Sequence, residues 1–147
     1  MKFLLDTVVL SEARKPRRDT HVARWLALVA RNELFVSVAS IVEIQRGIIL
    51  AQRRNREFAQ ALEQWLGTII ARYAGQIVPV GLGVARRWGA LSAAIGHREL
   101  DLAIAATALE HDMVVVTRNT SDFLPAGVPV LNPFAPHPAV IQPRSPH

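Results

Sequence analysis

The sequence contains no cysteine, which excludes disulfide bonds, a thiolate nucleophile and a cysteine-ligated zinc site. Only two of its 17 basic residues are lysines, Lys2 and Lys15, and the other fifteen are arginines. None of its five histidines recurs at a spacing of four residues, so a zinc site on one helix has little support. The chemistry of an active site must therefore come mainly from carboxylates, hydroxyls, amides and arginines.

Long apolar runs are also absent. The longest segment without Asp, Glu, Lys or Arg is 123–143, and it contains six prolines, which a membrane helix does not carry together. Near the N-terminus, Asp6 interrupts the apolar run that a signal peptide would need. We therefore expect a cytoplasmic protein that does not associate with membranes.

The remaining composition is that of a globular domain. The chain has 147 residues, of which 50% are hydrophobic and 20% charged. Its net charge of +5 is compatible with a polyanionic partner but does not by itself identify one. Seven of the nine prolines follow Leu124. We expect one domain over 1–134 and a flexible, proline-rich tail over 135–147.

Strand and helix patterns alternate along the chain. Short apolar or β-branched runs predict five strands, at 2–5, 34–38, 77–80, 113–117 and 128–131. Apolar residues at helical spacing predict helices over 8–14, 21–31, 40–50, 54–73, 82–95 and 100–111. Ser40 and Glu43 have the spacing of a capping box, which predicts that Ser40 begins the third helix. The alternation indicates an α/β fold with a mostly parallel central sheet of five strands.

Four acidic residues lie where parallel strands would bring their carboxyl ends together. Asp6 follows the first strand, Glu43 lies in the helix after the second, Asp101 opens a helix, and Asp122 follows the fourth strand. Carboxylates gathered at one edge repel each other unless a cation holds them, and acidic oxygen sites suit Mg²⁺ or Mn²⁺.

Each acid also has a simpler interpretation. Asp6 could be a polar strand end, and Glu43 could complete the capping box or pair with Arg46. Asp101 could complement a helix dipole, and Asp122 could cap a short turn. Independent caps need not all fall at strand ends, however, and the helix after Asp101 is apolar nearly all round. Together the four acids favour a functional site.

Four segments resemble the successive motifs of PIN-domain proteins, and the likeness is greatest to the VapC and FitB group of toxin–antitoxin ribonucleases. The segments are Leu4-Leu5-Asp6-Thr7 with Ser11-Glu12, then 37–47 (SVASIVEIQRG), 101–108 (DLAIAATA) and 116–123 (VTRNTSDF). The resemblance covers about residues 1–134. It implies a three-layer αβα fold and a metal-dependent ribonuclease that hydrolyses RNA phosphodiester bonds with metal-activated water.

The resemblance also implies a site and its partners. Asp6, Glu43 and Asp101 would be the principal ligands of Mg²⁺ or Mn²⁺, and Asp122 would be the fourth acid. The supporting polar residues would be Thr7, Thr117 and Asn119, the last two acting on Asp122 through hydrogen bonds. The chain would be the toxin of a pair, bound by a cognate antitoxin protein in a hetero-oligomer. One departure is Glu99, which stands where the family often has proline and which we expect to face solvent.

Arginines would supply RNA binding, because an acidic site repels RNA. The candidates are Arg14, Lys15, Arg17, Arg18, Arg46 and Arg118. A solvated helix face is the simpler interpretation for most of them. A further expectation concerns the apolar helices over 40–73, which indicate a homodimer. The apolar residues in question are Ile48, Ile49, Leu50, Phe58, Leu62 and Trp65.

Two other function classes need consideration. A dinucleotide-binding enzyme needs G-x-G-x-x-G after its first strand, but Asp6–Ser11 contains no glycine, and the pattern begun by Gly81 and Gly83 fails at Arg86. The stronger alternative is a PIN-fold module that binds nucleic acid or assembles with other proteins without catalytic activity.

Overall fold

A computed structural model describes residues 1–97 and 99–145. Its single sheet has the strand order β3-β2-β1-β4-β5-β6. The strands are β1 (Phe3–Leu5), β2 (Leu34–Ser37), β3 (Ile77–Val78), β4 (Val114–Val116), β5 (Val130–Leu131) and β6 (Val140–Ile141). The first five are parallel, and β6 is antiparallel to β5.

Helices cover both faces of the sheet, which confirms the predicted α/β architecture. They are α1 (Thr7–Ala13), α2 (Thr20–Leu28), α3 (Val38–Gln52), α4 (Arg56–Arg72), α5 (Leu82–Ile95), α6 (Leu100–His111) and α7 (Thr120–Phe123). Single 3-10 turns lie at Arg31–Glu33 and Leu124–Ala126.

Alternate residues of each strand supply two separate cores, because successive side chains point to opposite faces of a sheet. Phe3 and Leu5 join the core formed with α1 to α4, whereas Leu4 joins the core on the side of α6 and α7. Every residue from 102 to 108 in α6 is buried. Four of these seven residues are alanines, whose small side chains allow the close approach that burial on all sides requires.

The predicted start of the third helix is wrong by two residues. Helix α3 begins at Val38, and Ser37 is its N-cap, with Oγ accepting a hydrogen bond of 3.0 Å from the Ala39 N–H. Ser40 is buried inside the first turn and does not cap the helix. The cap falls at Ser37 because this residue still has the extended backbone of β2 (φ −82°, ψ 146°).

The predicted count of five strands is also wrong, because the sheet has six strands in the described part of the chain. The sixth, Val140–Ile141, lies in the segment expected to be a tail and pairs with Val130–Leu131. A strand of two residues flanked by prolines carries almost no periodic signal, so sequence alone could not detect it. The last two residues of the expected tail, 146 and 147, lie outside the described residues.

The apolar residues that indicated a homodimer divide into two groups. Ile48 is buried, and Leu62 and Trp65 pack against the first core. The remaining three, Ile49, Leu50 and Phe58, are 44%, 37% and 45% exposed, so part of the predicted surface is open. Within the described residues, no helix has both the length and the apolar character needed to cross a membrane.

Candidate metal centre

Asp6, Glu43 and Asp101 meet at the carboxyl edge of the sheet. One carboxylate oxygen from each lies within 4.8 Å of the corresponding oxygens of the other two. Asp6 follows β1, Glu43 lies on α3 after β2, and Asp101 is the second residue of α6. Residues 95 positions apart in sequence are therefore brought together by the parallel pairing of β1 with β2 and β4.

Asp6 is held in place through both carboxylate oxygens. It is only 5% exposed, and its own N–H donates to the Val116 carbonyl across the β1–β4 pair at 2.9 Å. Its Oδ1 accepts from the Thr7 N–H, and its Oδ2 accepts from the Thr117 hydroxyl, both at 2.8 Å. Asp6 is thus the N-cap of α1 and a member of the acidic cluster at once.

One carboxylate oxygen of Glu43 has no hydrogen-bond partner among residues 1–97 and 99–145. Its Oε1 is buried and accepts no hydrogen bond within the described residues. The nearby Thr7 hydroxyl donates to Ser40 Oγ at 2.9 Å. Because Glu43 is the sixth residue of α3, it cannot complete a capping box, and no ion pair to Arg46 is found in the described part of the chain. A buried, unpartnered carboxylate oxygen is costly unless a cation satisfies it.

Asp122 stands apart from the three-residue cluster. It is exposed on α7 and contributes no atom to the group within 4.8 Å, although its charge acts on Asp6 and Asp101. Of the two residues expected to support it, Asn119 accepts a backbone hydrogen bond from the Asp122 N–H at 3.1 Å, whereas the Thr117 side chain is directed to Asp6. The Thr117 hydroxyl donates to Asp6, and the Asn119 N–H donates to Thr117 Oγ1 at 3.0 Å, which fixes the hydroxyl for that bond.

The clustered carboxyl groups resist ionisation. Burial raises the pKa of Asp6 from its ordinary 3.8 to about 6, against the lowering effect of the bond from Thr117. Burial, with the charges of Asp6 and Asp101, raises the pKa of Glu43 from 4.5 to about 7. Burial and the charge of Asp122 also raise the pKa of Asp101. Such shifts mark groups whose charge needs a partner.

The basic residues expected to contact RNA lie on the surface, and all six are exposed. Arg118 follows Thr117 directly, and Arg46 lies one helical turn beyond Glu43. Lys15 pairs with Glu12 at 2.9 Å. Glu99 precedes α6 with a side chain 74% exposed, as expected for a solvent-facing residue.

Sequence reasoning missed Ser40 as a member of this site. Ser40 accepts a hydrogen bond from Thr7, 33 residues away, and so links α3 to the start of α1. A hydrogen bond between two distant hydroxyl groups leaves no periodic pattern in the sequence. The one available signal was the position of Ser40 one turn before Glu43.

Comparison with known proteins identifies this arrangement. The sequence model of the PIN domain matches residues 3–124 of the chain. The chain belongs to the PIN-domain family. It is 33% identical over 143 residues to a VapC ribonuclease, Y4jK, of Sinorhizobium fredii, a match that covers 91% of this chain and 99% of that protein.

Two further similarities concern FitB. This PIN-domain chain is 33% identical to the toxin FitB of Neisseria gonorrhoeae, over 90% of this chain and 98% of FitB. It also superposes on a chain of the FitAcB crystal structure from the same organism with a TM-score of 0.78 and 31% identity. That match covers 90% of this chain and 98% of the other. The resemblance to the VapC and FitB group is thereby confirmed.

Proposed function

We propose that this PIN-domain protein is the toxin of a toxin–antitoxin pair and acts as a metal-dependent endoribonuclease. The observation that carries the proposal is the cluster of Asp6, Glu43 and Asp101, one oxygen of each within 4.8 Å of the others. Its similarity over nearly full length to a VapC ribonuclease and to toxin FitB supports the same activity.

The cluster fits a hard divalent cation, Mg²⁺ or Mn²⁺, because all its ligand atoms are carboxylate oxygens and Glu43 Oε1 has no hydrogen-bond partner in the described chain. Asp6, Glu43 and Asp101 would hold the ion. When bound, the cation supplies a Lewis acid that acidifies water and offsets the charge on the phosphate oxygens during hydrolysis.

The chain's own residues prepare the site for that ion. Thr117 and the Thr7 N–H fix the Asp6 carboxylate, so that its orientation does not depend on the ligand. Thr7 and Ser40 tie α1 to α3 beside Glu43. Asp122 acts on Asp6 and Asp101 through its negative charge and is proposed as the fourth acid of the catalytic set.

Exposed cations would bind the RNA. Arg118 directly follows Thr117, and Arg46 lies one helical turn beyond Glu43. The other proposed cations lie in the turn after α1: Arg14, Lys15, Arg17 and Arg18. We propose that the cytoplasmic partners are RNA, a cognate antitoxin and a second copy of the chain. The exposed side chains of Ile49, Leu50 and Phe58 support contacts of the last two kinds.

The first test is cleavage of a pool of labelled RNAs with Mg²⁺, Mn²⁺ or EDTA. The Asp6→Asn change keeps the size of the side chain but removes its charge. We expect it to lower the rate at least ~100-fold, equal to about 2.7 kcal/mol of activation free energy. Glu63→Gln, on an exposed position of α4, is the matched control and should cleave normally.

Cleavage that survives both Asp6→Asn and EDTA would overturn the metal mechanism. Calorimetric titration with Mn²⁺ distinguishes the metal-dependent ribonuclease from the remaining alternative. A PIN-fold module without activity would bind RNA but show neither a Mn²⁺ site lost in Asp6→Asn nor metal-dependent cleavage.

A further inference from the structure

Arg118 is stacked on an aromatic ring beside the acidic cluster. Its Cζ lies 3.6 Å from the centroid of the Phe134 ring. The other four cation–ring contacts in the described chain are wider, at 5.3 to 6.0 Å. A guanidinium this close to a ring face is in direct contact with it, and such a contact restricts the side chain.

The stack lies at the same edge of the sheet as the three carboxylates. Arg118 comes between Thr117, which donates to Asp6, and Asn119, which donates to Thr117. Phe134 follows the neighbouring strand, where the Thr117 N–H donates to the Leu131 carbonyl at 3.0 Å. Arg118 is therefore one residue beyond a side chain that touches the proposed metal site.

Phe134 is held through both its backbone and its ring. Its backbone N–H donates to Asn132 Oδ1 at 3.0 Å, and the Ala135 N–H donates to the Asn132 carbonyl at 3.2 Å, so the turn over 132–135 is fixed. The ring packs against the core formed with α1 to α4, as does Val140 of β6. The returning strand β6 thus holds the segment that carries Phe134 against the sheet.

Apart from its contact with Phe134, the charge of Arg118 has no partner among the described residues. Arg118 forms neither an ion pair nor a hydrogen bond with any carboxylate in this part of the chain. Stacking uses the face of a guanidinium and leaves the N–H donors at its edge available. Two such donors match the oxygens of a phosphate.

We infer that Arg118, held by Phe134, binds a backbone phosphate of the RNA close to the bond that is cut. Phe134 is the positioning residue, since it acts on the substrate only through Arg118. This inference rests on the proposed ribonuclease function and adds a substrate contact to it. An acidic site binds RNA most effectively through a cation that does not pair with the site's own carboxylates. The Phe134 ring restrains Arg118 in this way.

The test measures RNA binding without cleavage. In the Asp6→Asn protein, the affinity for a labelled 12-nucleotide single-stranded RNA of mixed sequence is measured by fluorescence anisotropy at several KCl concentrations. We expect Arg118→Ala to weaken binding about tenfold and to reduce the salt slope by ~0.7, the value for one lost phosphate contact. Phe134→Leu should shift both quantities in the same direction, while Phe134→Tyr should retain them.

A double variant distinguishes positioning from simple loss of structure. Arg118→Ala with Phe134→Leu should bind no more weakly than Arg118→Ala alone, because the ring acts through the arginine. Lys2→Ala is the matched control, since Lys2 also lies over a ring, that of Phe35, but at the opposite end of β1. It should leave the salt slope unchanged.

The outcomes separate the two proposals. If the unsubstituted protein cleaves RNA but Arg118→Ala binds and cleaves as well as it does, the phosphate contact is wrong and the ribonuclease function stands. If Phe134→Leu lowers the melting temperature without changing affinity, Phe134 is structural only and the positioning role is overturned. If the unsubstituted protein neither binds nor cleaves RNA, both proposals fail together.

Discussion

At the scale of single residues, Asp6 shows how one carboxylate can serve two roles. Its Oδ1 caps α1 and its Oδ2 accepts from Thr117, yet each oxygen keeps a further lone pair. A helix cap and a metal ligand are therefore compatible functions of the same side chain. Burial makes the charged form costly, and the hydroxyl of Thr117 offsets part of that cost.

Thr117→Val tests this offset. Because the bond from Thr117 lowers the pKa of Asp6, its loss should raise that pKa above about 6. Protons would then compete with the metal up to a higher pH, so the acidic limb of Mn²⁺ binding should move to higher pH. Calorimetric titrations from pH 5 to pH 8 measure this shift. Thr117→Ser keeps the hydroxyl and should match the unsubstituted protein, and an unmoved limb in Thr117→Val would refute the role.

At this scale, the acidic residues of the site were predictable from the sequence, but not all of their contacts were. The places of Asp6, Glu43 and Asp101 after predicted strands or at a helix start were enough to expect convergence. The direction of the Thr117 hydroxyl was not predictable, because Asp122 is only five residues away in sequence, whereas Asp6 comes near only through the pairing of β1 with β4. The structure directs it to Asp6, 111 residues away.

At the scale of elements, the start of α3 determines where Glu43 lies. The helix begins as soon as β2 ends, with Ser37 serving as the last strand residue and the N-cap. Ser40 and Glu43 are three residues apart, so they lie on one side of α3. The S-x-x-E pattern at these positions therefore reflects the site and not a helix start.

The capping role of Ser37 predicts a specific loss of stability. Ser37→Ala removes the acceptor for the Ala39 N–H and should lower the free energy of unfolding by ~1 kcal/mol. Ser37→Thr keeps an acceptor oxygen and should recover most of that loss. Urea unfolding at fixed pH gives both values. Equal stabilities for Ser37→Ala and the unsubstituted protein would contradict the assignment of the cap.

Long, regular elements were the most predictable. Helices α5 (Leu82–Ile95) and α6 (Leu100–His111) have the bounds expected from their apolar spacing and, for α5, from Gly96, which ends the helix with φ +100°. Strand β6 was missed because two residues held by cross-strand hydrogen bonds have no pattern of their own. Its existence depends on the exposed edge of β5, which only the assembled sheet provides.

At the scale of the whole molecule, the parallel sheet gathers negative charge within a protein of net charge +5. The topology brings the carboxyl ends of β1, β2 and β4 to one edge, where Asp6 is buried and Glu43 and Asp101 are half-buried. The proposed RNA-contacting cations remain exposed. In the metal-free protein, the carboxylates of the cluster therefore repel each other at one edge of the sheet.

This repulsion predicts how stability depends on pH. The folded protein holds its protons on Asp6 and Glu43 up to about pH 6 and 7, whereas the unfolded chain releases them near 3.8 and 4.5. The stabilising contribution of these two groups to the free energy of unfolding is therefore fully present below pH 4 and is lost as the pH rises through 7. In EDTA, the melting temperature should fall between pH 5 and pH 8.

Added Mn²⁺ should raise the melting temperature more at pH 7.5 than at pH 5, since protons no longer compete for the carboxylates. Glu43→Gln removes one titrating group and should flatten the pH dependence in EDTA. Differential scanning calorimetry measures both effects. A melting temperature in EDTA that rises from pH 5 to pH 8 would show that the cluster does not control it.

The sequence by itself determined the fold class, the family and the positions of the acids, because these depend on local periodicity and on motifs within short segments. The tertiary structure decided which side chains meet. It joined Thr117 to Asp6, left Asp122 outside the closest group, and placed Arg118 on Phe134. Contacts between residues far apart in the chain depend on strand register and side-chain rotamers, and neither can be predicted from a local sequence pattern.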